Sequence, residues 1–162
     1  MDLRVGQGID RHRLAVGRRL VLGGVEIAHS HGLVGQSDAD ALLHAICDAM
    51  LGAAAMGDIG QMFSDADPEN KDRSSLEFLA LVQLRIEGAG FAVMNVDATV
   101  MIEAPKLAPH IDAMRENIAS ILDIGLDRVS VKATRGERVG PEGRAEAATA
   151  HAVVLLNKAG AQ

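Results

Sequence analysis

Apolar residues in this chain fall into short strand-like runs near both ends and into longer stretches of helical spacing between them. Residues 3–9 form an apolar-rich strand candidate that ends in glycines. Val21-Leu22-Gly23-Gly24-Val25-Glu26-Ile27 reads as two short strands around a Gly-Gly turn, the pattern of a hairpin. Leu42, Leu43, Ile46, Ala49, Met50 and Ala53 then recur at helical spacing, with Ser37 placed as N-cap and the helix running through about residue 56. The stretch 57–72 is polar, acidic and broken by Gly60 and Pro68, so it reads as a long loop; loops of that length in a compact domain are more often functional than idle. A second helix spans 74–88, capped by Ser74 or Ser75 and stopped by Gly88 and Gly90. A β-branched strand at 92–103, a helix at 109–122, a strand at 128–134, a Gly-rich turn and a final Ala/Val strand at 145–156 complete the chain. This order predicts an α+β fold, a mixed β-sheet with helices on one face, as a single domain over residues 1–162.

Composition narrows the function classes. Only 2% of residues are aromatic, with no Trp or Tyr, so the core must be built from Ala, Val, Leu, Ile and Met, and the Met residues read as core filler. A net charge of -6 argues against a general nucleic-acid or membrane-surface binder, and an anionic substrate would need metal ions or a few placed cations. The single cysteine, Cys47, forbids an internal disulfide and suits a reducing compartment; its Ala, Ile and Met neighbours predict a buried helix position. No apolar run reaches the ~18 residues that span a bilayer, and the N-terminus lacks the pattern of a signal peptide, so the expected location is the cytoplasm.

Candidate chemistry begins with Asp10 and His12, which sit at i and i+2 where the first strand is expected to end, on one face. His44 lies inside an otherwise apolar helix. A lone histidine there is ordinarily a core residue, but joined to Asp10 and His12 it completes three ligands of the kind that bind Zn²⁺ while leaving a fourth position open. Gly6-Gln7-Gly8 is not a dinucleotide fingerprint, because no third glycine opens a helix after it; these glycines are expected to let the backbone approach a ligand or partner chain.

Longer strings carry a family resemblance. Gly6-x-Gly8-x-Asp10-x-His12, then Gly35-x-Ser37-Asp38-Ala39-Asp40-Ala41-Leu42-Leu43-His44, Leu51 to Gly60 and Phe63-Ser64-Asp65-Ala66-Asp67-Pro68 follow in order. Ala104-Pro105-Lys106-Leu107 with Pro109-His110, Val131-Lys132-Ala133-Thr134, Glu137 and Gly143-Arg144-x-Glu146 continue the match over nearly the whole chain. The chain resembles the 2-C-methyl-D-erythritol 2,4-cyclodiphosphate synthases. The resemblance implies a ferredoxin-like arrangement assembled as a homotrimer, with active sites between subunits. It also implies cyclisation of 4-diphosphocytidyl-2-C-methyl-D-erythritol 2-phosphate with release of CMP, in the non-mevalonate isoprenoid pathway.

By that resemblance Asp10, His12 and His44 would hold one Zn²⁺ per subunit, and Glu137 a second ion, Mg²⁺ or Mn²⁺, that arrives with substrate. Ile102, Glu103, Ala104, Pro105, Lys106, Leu107 and Ala108 would form the cytidine pocket with Ala133 and Thr134. Asp58, Ile59, Gly60, Phe63, Ser64, Asp65, Ala66 and Asp67 would line the methylerythritol phosphate side, and Ser37 would also bind substrate. Gln36 and Arg135 occupy the two positions of the transition-state stabilisers, and Gly136, Pro141 and Arg144 complete the substrate-contacting set. Arg144 and Glu146 would face the trimer axis, where a central cavity can hold an isoprenoid diphosphate. Some positions depart from the family pattern: Gln36 replaces a histidine, Arg135 and Gly136 replace a run that carries threonine or lysine, Pro141 and Asn70 replace common aromatics, and Glu103 replaces a frequent glutamine. Two readings therefore stay open: an active cyclase, and a non-catalytic or weakly active trimeric paralogue that binds a nucleotide or isoprenoid diphosphate. A generic zinc hydrolase would fit the three ligands alone, but the nucleotide-loop motif argues against it.

Overall fold

The computed structural model describes residues 2–64 and 67–158, so Asp65 and Ala66 lie outside the described residues. The first strand does not stop at its glycines. β1 runs over Asp2–Val16, because β7 (Ala147–Lys158) pairs with it antiparallel from Asp2↔Lys158 to Arg13↔Ala147 without a break. Asp10 and His12 thus sit in mid-strand and not at a strand end. β2 (Leu20–Leu22) and β3 (Val25–Ile27) form the expected hairpin, with Gly23 and Gly24 both at positive φ, as a tight turn of that hand requires. A fourth short strand, β4 (His31–Leu33), was not expected; it pairs with the far end of β1.

The first helix, α1 (Ala41–Ala53), starts later than Ser37 and ends before residue 56. Its N-cap is Asp40, whose Oδ1 accepts from Leu43 N at 3.1 Å, while the two carboxylate oxygens also accept from Gly23 N and Gly24 N at 3.0 and 2.7 Å. The cap therefore ties the hairpin turn to the helix start, while the Ser37 hydroxyl accepts from Ala39 N. The 57–72 stretch contains a single-turn helix, α2 (Ile59–Met62), capped by Asp58, and a 3-10 turn at Pro68–Asn70 capped by Asp67. α3 (Ser75–Gly88) starts from Ser74, as expected. β5 (Phe91–Met101), α4 (Ile111–Leu122) and β6 (Val129–Thr134) form a parallel β-α-β unit, and α5 (Gly140–Gly143) is a short turn before β7.

The five-stranded sheet has the order β4-β1-β7-β5-β6, with only β5 and β6 parallel. Helices cover one face of this mixed sheet, the predicted α+β class. α1 lies so close to β1 that a Cβ on Gly6 would fall 1.9 Å from the Ala49 carbonyl oxygen, and one on Gly8 1.9 Å from that of Ala45. The two glycines serve this internal contact, not the ligand or partner approach expected of them. Cys47 is buried in α1, and desolvation pushes its thiol well above the ordinary range. On the opposite face of the sheet Leu3, Val5, Ile9 and Val153 are exposed.

Candidate active site

Three elements converge on one point. Asp10 and His12 project from the helix-covered face of β1, opposite Ala150 and Ala148 of β7, whose small side chains leave room above them. His44 comes down from the second turn of α1. His12 Nε2 lies 2.9 Å from Asp10 Oδ2, His44 Nδ1 lies 3.1 Å from the same oxygen, and the two nitrogens are 3.3 Å apart. A tetrahedral ion with bonds of about 2.0–2.1 Å sets its ligands about 3.3 Å from one another, which is close to this spacing.

The outer hydrogen bonds decide what kind of group this triangle can hold. His12 Nδ1 lies 2.9 Å from the Val34 carbonyl, which can only accept, so Nδ1 carries the proton and Nε2 presents a lone pair. His44 Nε2 lies 2.8 Å from Ser75 Oγ, whose own proton goes to Asp38 Oδ1, so Nε2 carries a hydrogen and Nδ1 presents a lone pair as well. Two lone pairs and a carboxylate oxygen within 3.3 Å of one another repel unless a cation sits among them. Among the described residues, Asp10, His12 and His44 are the group of acidic and imidazole side chains close enough to share an ion. The site fits a divalent cation.

Around this triangle lies a cavity lined by Gly35, Gln36, Ser37, Ile59, Gly60, Phe63, Asn70 and Phe78 as well as the three ligands. Asp48 of α1 accepts from Ile59 N at 2.7 Å and so anchors α2 over the cavity. Phe63 stacks on Phe78 at 4.3 Å between ring centroids, placing two of the chain's three phenylalanines in its wall. Of the residues expected on the methylerythritol side, Ile59, Gly60 and Phe63 line the cavity, as do Gln36 and Ser37. Asp58 instead caps α2, Asp67 caps the 3-10 turn, and the Ser64 carbonyl accepts from Asn70 Nδ2.

A second cavity, of about 340 Å³, is lined by Ile102, Pro105, Lys106, Leu107, Ala108, Ala133, Thr134 and Arg135. These are the residues expected to hold cytidine, with Arg135 added; Glu103 and Ala104 sit beside them in the chain, and the Ala104-Pro105 peptide is cis. The two cavities share no lining residue. Gly136 is wedged against the backbone of Gly143, where a Cβ would meet Gly143 N at 2.2 Å. Glu137 is exposed on the turn after β6 and does not join the three-residue cluster. Pro141 lines neither cavity; with Arg11, Arg13, His31 and Glu146 it borders a hollow on the other side of the sheet, and Arg144 pairs with Glu146 at 2.9 Å.

Comparison with known proteins bears on this arrangement directly. The family model described as "YgbB family" matches residues 3–157. The chain belongs to the YgbB family. Two relatives called 2-C-methyl-D-erythritol 2,4-cyclodiphosphate synthase are similar over their full or nearly full length. That of Syntrophomonas wolfei is 59% identical over 157 residues, covering 97% of this chain and 100% of its own. That of Burkholderia mallei is 56% identical over 156 residues, with 96% of each chain covered. Among solved structures, the bifunctional IspDF of Campylobacter jejuni superposes with a TM-score of 0.93 at 39% identity, this chain spanning 43% of that longer one. The Plasmodium falciparum IspF–CDP complex gives a TM-score of 0.85 at 33% identity, with 98% and 97% of the two chains covered. As a YgbB-family member this chain is an enzyme, a phosphorus–oxygen lyase of the cyclodiphosphate synthase type.

Reading from residue types did not reach the Val34 carbonyl, Ser75, Asn70 or Phe78 at the metal cavity. Ser75 had a visible signal as a helix-start hydroxyl, but nothing in the chain order tied it to His44.

Proposed function

We propose that this YgbB-family enzyme cyclises 4-diphosphocytidyl-2-C-methyl-D-erythritol 2-phosphate to 2-C-methyl-D-erythritol 2,4-cyclodiphosphate with release of CMP, in isoprenoid precursor synthesis. The observation that carries this reading is the convergence of Asp10, His12 and His44, with both histidine lone pairs turned inward, at the mouth of a cavity walled by Gln36, Ser37 and Phe63. An oxygen of the 2-phosphate forms a bond to the β-phosphorus, and the bond from that phosphorus to the oxygen bridging it to the α-phosphate breaks, so CMP carries that oxygen away. Such a reaction asks a protein for alignment and for neutralisation of crowded charge, not for a covalent nucleophile. Asp10, His12 and His44 would hold Zn²⁺, which when bound supplies positive charge to the β-phosphate. Glu137, an exposed hard oxygen donor, would hold Mg²⁺ or Mn²⁺ together with substrate.

The rest of the work falls to side chains. The Gln36 amide offers a neutral donor beside the metal triangle, and Arg135 offers a permanent charge beside the nucleotide cavity. Lys106, Ala133 and Thr134 would hold the cytidine in the cavity they line; the CDP in the Plasmodium falciparum relative supports a ligand of this class. Because the metal and nucleotide cavities share no lining residue, the same reading makes the working unit a homotrimer whose subunits face one another across active sites. The exposed Leu3, Val5, Ile9 and Val153 on the uncovered face of the sheet supply apolar area for that assembly. Glu146, with Arg144 paired to it, borders a hollow on that same face, a place for an isoprenoid diphosphate in the trimer. Among the described residues no helix is long and apolar enough to cross a membrane, in keeping with work in the cytoplasm.

Gln36, in the place of the family's histidine, favours one competing reading: a trimer that binds the nucleotide without turning it over. Following CMP release from the cytidine diphosphate substrate, with Zn²⁺ and Mg²⁺ present, separates the two. CMP at a rate proportional to enzyme supports the cyclase; no release above background from zinc-loaded, folded protein supports the binding trimer.

A further inference from the structure

Behind the candidate ion ligands stands a second layer that the reaction scheme does not use. Ser75, the first residue of α3, is fully buried. Its hydroxyl donates to Asp38 Oδ1 in a short hydrogen bond, and its backbone N–H donates to Asp38 Oδ2 at 2.9 Å. A serine hydroxyl has one proton. With that proton committed to Asp38, Ser75 Oγ can only accept from His44 Nε2, 2.8 Å away. His44 is therefore held with its proton on Nε2 and its lone pair on Nδ1, the nitrogen that faces Asp10 and His12.

We propose that Ser75, clamped by Asp38, is a positioning residue for the metal centre: it selects the tautomer and ring orientation in which His44 can bind a divalent cation. This rests on the reading of Asp10, His12 and His44 as a cation site. The other hydroxyl within reach, Ser37 Oγ, is 3.4 Å from His44 Nε2 and itself accepts from Ala39 N, so it is a poor substitute. The arrangement also couples two elements to the ion. Ser75 opens α3 and His44 belongs to α1, so the Asp38–Ser75–His44 chain fixes the imidazole against both helices at once. The Asp38 carboxylate, drawing on the hydroxyl proton, leaves the serine oxygen a stronger acceptor and His44 Nδ1 a better donor to a metal.

The test uses the full-length protein stripped of metal. Zn²⁺ affinity is measured by competition with a chromophoric chelator, and the His44 tautomer by long-range ¹H–¹⁵N correlation in the metal-free state. Ser75→Ala is expected to weaken Zn²⁺ binding by about 10- to 100-fold and to replace the single Nε2–H tautomer by a mixture. Ser75→Thr, which keeps the hydroxyl, is expected to restore both. Wild-type affinity in Ser75→Ala, or weakened affinity with the tautomer unchanged, overturns the proposal, since a merely structural serine would leave the tautomer alone. Should Ser75→Ala not fold, Asp38→Asn carries the test: it moves both readouts in the same direction by less, and no change in either overturns the proposal. A wild-type chain that binds no Zn²⁺ at all is a separate failure, of the cation-site reading itself.

Discussion

At the β1–α1 end of the molecule the side chains around the candidate ion are held from behind: Val34 fixes His12, Ser75 fixes His44, and both histidines are largely covered. At the β5–β6 end, Lys106, Ala133, Thr134, Arg135 and Glu137 are all exposed, and the Oε2 of the neighbouring Glu103 is buried without a partner among the described residues. The first region is complete within one chain. The second presents solvent-facing groups around an open cavity, available to a ligand. Changes at the metal end should therefore act on ion binding in the isolated protein, while changes at the nucleotide end should act only when substrate is present.

The strongest break in that contrast is His44→Ala. Removing one of three ligands is expected to abolish retention of one Zn²⁺ per chain and, by the proposed chemistry, to lower turnover by at least about 10²–10³. Metal analysis of the purified variant checks it; one Zn²⁺ still held per chain would show that the ion sits elsewhere. Arg135→Ala sharpens the other side. It should cost about 10²–10³ in kcat, comparable to the loss of one preorganised donor, while Zn²⁺ affinity stays at its wild-type value. A variant that loses metal along with activity would mean the two regions are not separable.

How much of this was open to sequence reading follows from the same contrast. The helix and strand periods, the Gly23-Gly24 turn and the α3 start at Ser74 were all legible because each is decided by a few neighbouring residues. The true extent of β1 was not, because it is β7, more than a hundred residues later, that carries the pairing past Asp10 to Arg13. The cap of α1 was misplaced to Ser37 for a similar reason: Asp40 is preferred because it also binds Gly23 and Gly24, a contact invisible along the chain. The ligand set Asp10, His12 and His44 could be named from residue type and likeness to a family, yet the hydrogen bonds that orient it could not. Ser75 and the Val34 carbonyl reach the site only through packing.

The glycines of β1 give a prediction of intermediate size. Gly8 lies two residues from Asp10 on the same face, and a methyl there would meet the Ala45 backbone. Gly8→Ala should therefore cost about 1–3 kcal/mol in stability through overpacking and push α1, with His44, away from the strand. Urea unfolding reads the first effect and Zn²⁺ affinity the second. A stable variant with weakened zinc binding would place the glycine's role in the ligand geometry alone; unchanged values for both would mean α1 and β1 are not in the contact described.

The smallest effect belongs to Asp40. Its carboxyl is completely buried; desolvation pushes its pKa up to about 6, although three backbone N–H groups favour the charged form. Because the folded value lies above the unfolded one of 3.8, the folded chain keeps a proton between these pH values that the unfolded chain gives up. The contribution of this group to stability is then fully present below pH 3.8 and is lost as pH rises through about 6. Asp40→Asn removes the titration but keeps a side-chain oxygen for the helix cap. The stability difference between wild type and variant should shift by about 1 kcal/mol against the wild type from pH 5.5 to pH 7. Urea midpoints at the two pH values read that difference directly, with every other titrating group cancelled between the two proteins. A difference that stays constant would mean that the three N–H donors keep Asp40 ionised throughout, and that the hairpin is tied to α1 by a buried charge.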